Sequence, residues 1–89
     1  MTKFTIYTED VNRAKVIEMA AKRLENLTVH TGDIGYWHGQ AEASLSIELI
    51  TDSPVAMRAI THALALDIKE VNHQEAVLVT EQEIQGEFI

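Results

Sequence analysis

From Ala41 to Thr51 the chain alternates without a break. Ala41, Ala43, Leu45, Ile47 and Leu49 are apolar, and Glu42, Ser44, Ser46 and Glu48 between them are polar. Successive side chains of a strand point to opposite faces, so this pattern describes a strand with one dry face and one wet face. Such a strand belongs in an antiparallel sheet covered on one side only. The rest of the chain must then supply neighbours for this strand and a cover for its apolar side.

The remaining segments fit that demand. Lys3 to Thr8 predicts a strand, with Phe4 and Ile6 facing one way and Thr5 and Tyr7 the other. Glu9 and Asp10 open a helix running to about Glu25, because acids suit the positive end of a helix. Its expected buried stripe is Ala14, Ile17, Ala20, Ala21 and Leu24, and Asn26 is its expected stop. Leu27 to Thr31 alternates as a second strand, and the glycine-rich stretch from Gly32 to Gln40 is a loop or hairpin. Ser53 and Pro54 mark a second helix start, as N-cap and first helical residue. Met57, Ile60, Leu64, Ile68 and Val71 form its stripe, and it ends near Asn72. Ala76 to Val79 is a short apolar strand. The order β-α-β-β-α-β, closed by right-handed crossovers, is an α+β ferredoxin-like plait with both helices on one sheet face. The tail beyond it carries Ile84, Phe88 and Ile89, and is expected to form an extra C-terminal strand or an arm against a neighbouring subunit.

At 89 residues the chain has room for one domain, residues 1 to 89, with a modest core. Its four glycines, one proline and 46% hydrophobic content leave no linker and no disordered tract. The absence of cysteine excludes disulfides, a thiol nucleophile and Cys-based metal sites. A formal net charge of −7 opposes nucleic-acid binding, and Lys15, Lys22 and Arg23 are interspersed with acids. No apolar run approaches the ~18 residues of a transmembrane helix, and Met1-Thr2-Lys3-Phe4 lacks a signal-peptide core, so a cytoplasmic protein is expected.

Candidate binding residues cluster in two places. Tyr36, Trp37 and His38 lie among glycines, where aromatic side chains suit stacking on a flat ligand or anchoring an interface. Gln40, Glu42 and Ser44 follow on the wet face of the alternating strand, and Gln74 and Glu75 lie in the turn before the last strand. These eight are the expected ligand-binding residues. The four histidines, His30, His38, His62 and His73, show no metal-ligand spacing, although a hairpin would let His30 and His38 approach each other. No phosphate loop, dinucleotide fingerprint or nucleophile motif is present, so no catalytic residue, metal or cofactor is expected.

Two stretches carry a resemblance. The run Gly35-Tyr36-Trp37-His38-Gly39-Gln40-Ala41-Glu42-Ala43-Ser44-Leu45-Ser46-Ile47 resembles the aromatic–Gly–x–x–Glu strand of the CutA and PII-like trimeric proteins. Lys69 to Val79 resembles the helix end, polar turn and short strand that follow in that group. The set Leu27-Thr28-Val29, Gly35, Trp37, Glu42-Ala43-Ser44-Leu45 and Gln74-Glu75-Ala76-Val77-Leu78 is also similar to a small uncharacterised bacterial and phage ferredoxin-like family. The resemblance implies a homo-oligomer, often a trimer, with open sheet faces inward and small effectors, commonly nucleotides, between subunits. The chain departs from PII proteins in lacking their long loop and basic phosphate-binding residues, and from many CutA proteins in lacking Cys. The expected function is a non-enzymatic homo-oligomeric module for a small ligand, nucleotide-like by the resemblance, in a phage setting one that sequesters a host signal molecule in the host cytoplasm. The alternatives are an acidic inhibitor binding a host protein, and a small oligomeric enzyme using His38 and Glu42 as an acid–base pair.

Overall fold

The computed structural model describes residues 1–89. Its elements are β1 (Thr2–Glu9), α1 (Arg13–Arg23), β2 (Thr28–Trp37), β3 (Gln40–Thr51), α2 (Pro54–Val71) and β4 (Leu78–Glu83). The strands form one antiparallel sheet in the order β2-β3-β1-β4. This is the expected plait.

Register explains why the sheet has two unlike faces. Phe4 lies opposite Leu49 and Ile6 opposite Ile47, so the apolar residues of β1 and β3 share one face. That face meets Val16, Ala20 and Leu24 of the first helical segment and Met57, Leu64, Ala65 and Ile68 of α2 in one buried core. On the other face Thr5, Tyr7 and Glu9 stand beside Glu48, Ser46 and Ser44. No element of the chain covers this side. Glu48 sits there between Lys3 (3.9 Å) and His30 (3.4 Å).

The first helix differs from the sequence expectation at both ends. Glu9 stays in the β1 ladder opposite Ser44, and the Asp10 amide donates to the Ala43 carbonyl at 2.8 Å. Sheet pairing therefore consumes the residues expected to open the helix. Asn12 takes a left-handed conformation (φ 53°), which Asn tolerates better than most residues, and α1 begins at Arg13. The buried row is Val16, Ala20 and Leu24, and Ala14 and Ala21 are exposed. Ile17, expected in the stripe, is only half-buried, so the helix turns Val16 to the core in its place. Asn26 does not stop the helix, which ends at Arg23. Its side chain donates to the Ile50 carbonyl (2.8 Å) and accepts from the Ile50 amide (3.1 Å), completing the end of β3.

In α2, Pro54 occupies the first turn as expected, but the Ser53 side chain makes no capping bond. Thr61 replaces Ile60 at the centre of the buried row, and its hydroxyl has no hydrogen-bond partner. An orphaned buried hydroxyl costs about 1–3 kcal/mol, and valine has the same shape without it. Thr61→Val is therefore expected to stabilise the fold by about 1 kcal/mol, read as a higher urea midpoint with unchanged slope.

Arg58 of α2 grips Glu81 of β4 with two hydrogen bonds (2.9 and 2.7 Å). The guanidinium hydrogen bond, helped by its charge, holds the Glu81 carboxyl below its ordinary value of 4.5. A lowered carboxyl stabilises the fold above its unfolded value and ceases to do so as pH falls through the lowered one. Acidification below pH 4.5 should thus weaken the native protein more than a Glu81→Gln variant, which has no proton to take up there; urea midpoints at pH 5 and pH 3 measure the difference.

Candidate functional site

The glycine-rich stretch expected to be a loop or hairpin is a hairpin: it forms the second half of β2 and the turn to β3. Gly32 has φ 89°, and at this point the β2–β3 register shifts between His30 and Asp33. Pairing then resumes from Asp33 opposite Ser44 to Trp37 opposite Gln40. His38 (φ 49°) and Gly39 (φ 78°) make the two-residue turn. Both central residues have positive φ, the geometry whose twist matches that of the paired strands. The ladder thus delivers Trp37 to a fixed place at the tip of a rigid hairpin.

Opposite the hairpin lies the segment between α2 and β4. A polar cluster holds it. The Thr8 hydroxyl donates to Oε1 of Gln74, and the Asn72 amide donates to Thr8 Oγ1 (3.2 Å) and Gln74 Oε1 (3.0 Å). Asn12 ties in the start of α1 by donating to Asn72 Oδ1 at 3.1 Å. These short side chains link the end of β1, both helices and the turn.

Between hairpin and turn is an open cleft of about 600 Å³. Strand β1 contributes Tyr7, Thr8 and Glu9; the hairpin contributes Gly35, Tyr36, Trp37, Glu42 and Ser44; the turn and β4 contribute His73 to Leu78. The two walls touch at one point. Trp37 Nε1 donates to Glu75 Oε2 at 2.8 Å, and His38 Nε2 lies 3.8 Å from the same oxygen. The His38 ring meets Trp37 edge-on, with centroids 4.9 Å apart.

Of the eight expected site residues, Tyr36, Trp37, Glu42, Ser44, Gln74 and Glu75 come together around this cleft. His38 and Gln40 do not line it and stand at the hairpin tip. His38 pairs with Glu75 and not with Glu42, so the acid–base pair considered from the sequence is not assembled. His30 pairs with Glu48 on the open sheet face, well down the strand from His38. Tyr7 and Glu9 of β1 line the cleft beyond the eight expected residues. Their signal lay in the plait itself, which places β1 between β3 and β4.

The lining has a distinct chemistry. Tyr7, Tyr36 and Trp37 supply aromatic faces, Glu9, Glu42 and Glu75 supply carboxylates, and no Lys or Arg is present. Aromatic faces attract cations through their ring quadrupoles, and carboxylates do so through charge. A phosphate group would meet only like charge there.

No family model and no curated sequence matches this chain. Solved structures share its fold. A phage SAM lyase in its apo state superposes with a TM-score of 0.74 at 21% identity, covering 91% of this chain and 78% of that one. A phage SAM lyase in complex with S-methyl-5'-thioadenosine gives 0.62 at 18% identity, covering 92% and 80%. A DUF3240 family protein from Shewanella baltica gives 0.71 at 12% identity, covering 99% and 94%. CPII, a nitrogen regulatory PII-like protein from Thiomonas intermedia bound to ADP, AMP and bicarbonate, gives 0.65 at 14% identity, covering 97% and 93%. The chain therefore has the α+β fold of PII-like proteins, and small-molecule ligands occur among the proteins that share it. No helix is long and apolar enough to cross a membrane.

Proposed function

We propose that the cleft binds S-adenosylmethionine and splits it. The observation that carries this reading is the aromatic and acidic lining without a single Lys or Arg. Among the ligands of the similar structures, S-methyl-5'-thioadenosine, ADP and AMP share adenosine. A lining of three carboxylates disfavours the phosphorylated members of that set. It favours an adenosine joined to a sulfonium cation, which is the chemistry of S-adenosylmethionine. Its adenine stacks on the aromatic wall, and its sulfonium meets the aromatic faces and Glu42. The volume is in the range of ordinary small-ligand sites, roughly 300–1,000 Å³.

Cleavage of this ligand asks little of a protein. Its own carboxylate attacks its γ carbon as the C–S bond breaks, giving homoserine lactone and S-methyl-5'-thioadenosine. The sulfonium takes the electron pair and becomes a neutral thioether. No proton moves, so no acid–base pair is required, and a cleft that holds the amino-acid arm curled supplies the orientation. This accords with a site that has aromatic and acidic groups but no paired nucleophile and base. The copies of the chain associate in this reading, in threes with their open sheet faces inward, as the resemblance implies.

A second reading is binding without turnover, as in sequestration of the ligand. The likeness to CPII, whose structure holds intact nucleotides, favours it. One experiment separates the readings. Purified protein is incubated with S-adenosylmethionine and the products are identified by mass spectrometry. Homoserine lactone and S-methyl-5'-thioadenosine support cleavage, intact ligand retained by the protein supports sequestration, and unbound intact ligand refutes both.

A further inference from the structure

A second groove, of about 400 Å³, lies between α2 and β4, apart from the cleft. Ala65, Leu66, Val77 and Val79 make it apolar, and His62 and Lys69 flank it. Leu66 is 67% exposed and adjoins the apolar residues of the groove. Of the seven basic side chains, Lys3, Arg13, Lys22, Arg23 and Arg58 have ion-pair partners, and Lys69, like Lys15 on α1, has none. On a chain of net charge −7, Lys69 sets a positive charge beside this apolar floor.

The tail offers the complement. Glu87 is acidic, and Phe88 and Ile89 stand in solvent. The tail does not reach the groove of its own molecule. The groove lies at the start of β4, whereas the tail leaves from the other end, where the Ile84 amide donates to the Met1 carbonyl at 2.9 Å. Gly86 lies beside the Met1 side chain.

We infer that the groove between α2 and β4 receives the Glu87-Phe88-Ile89 segment of a second copy of this chain. Phe88 and Ile89 cover Leu66, Val77 and Val79, and Glu87 meets Lys69. Each copy then donates one tail and accepts another, an arrangement that closes into a ring if the rotation permits.

The absence of native cysteine makes the test direct. Leu66→Cys and Phe88→Cys, both at exposed positions, are prepared as separate proteins and mixed under mild oxidation. Docking raises local thiol concentration, so a mixed disulfide should form at least about tenfold faster than between Phe88→Cys and a Val55→Cys control at the far end of α2. Equal rates overturn the inference. So does a 66–88 disulfide that forms only within a single chain carrying both substitutions. Charge reversal provides an independent check. Lys69→Glu and Glu87→Lys should each weaken association, and the double variant should restore it; a double variant no better than the singles overturns the pairing.

Discussion

Ile47→Ala is expected to cost about 2–5 kcal/mol. Ile47 is 1% exposed and central in β3, where it faces Ile6 of β1 and Val29 of β2 across the sheet. Every neighbour that a collapse would have to move is itself in a ladder or a packed helix, so the cavity persists. A domain this size has only about 5–15 kcal/mol of stability in total. The variant should therefore unfold at a far lower urea concentration, with circular dichroism as the measure. A midpoint within error of the native protein would mean that the apolar face of β3 is not the centre of the core.

Trp37→Ala should have the opposite profile. The indole is 46% exposed, lies beyond the helices and makes a single hydrogen bond, to an exposed carboxylate. Its removal leaves no buried cavity, so the fold should lose less than about 1 kcal/mol. The cleft, by contrast, loses its largest flat surface and the one bond joining its two walls. Stacking of a base on an aromatic side chain is worth about 1–3 kcal/mol, so S-adenosylmethionine should bind roughly tenfold to a hundredfold more weakly. Thermal melting and calorimetric titration of the same preparation separate the two effects. Collapse of the variant would assign Trp37 to packing, and unchanged binding would remove it from the site.

These two residues also show which parts of the molecule are legible in the sequence. Ile47 belongs to an unbroken alternation, and such a pattern specifies both the strand and its buried face. The plait followed from it. Trp37 belongs to a stretch where Gly32, Gly35 and Gly39 interrupt the alternation, so the sequence leaves it between a loop and a hairpin. In the structure, the positive φ of Gly32 absorbs a shift in register and pairing resumes beyond it, a tertiary effect that no local pattern records. The start of α1 departs from the sequence expectation for a similar reason. Glu9 and Asp10 suit a helix terminus, but the hydrogen bonds of β3 claim them first. In the cleft, Trp37, Glu42 and Glu75 were recognisable by residue type. Tyr7 and Glu9 were not, because on β1 they look like ordinary outward positions until β3 is placed beside them.

The charge of the cleft distinguishes this account from one based on nucleotide binding, and a single comparison measures it. Calorimetric titration of the native protein with S-adenosylmethionine and, separately, with ATP presents the same adenosine carrying opposite charges. The three carboxylates that line the cleft attract a sulfonium and repel a triphosphate, so S-adenosylmethionine should bind at least roughly tenfold more tightly than ATP. Equal affinities, or a preference for ATP, would contradict the central claim that the acidic aromatic cleft is built for a cationic adenosine ligand.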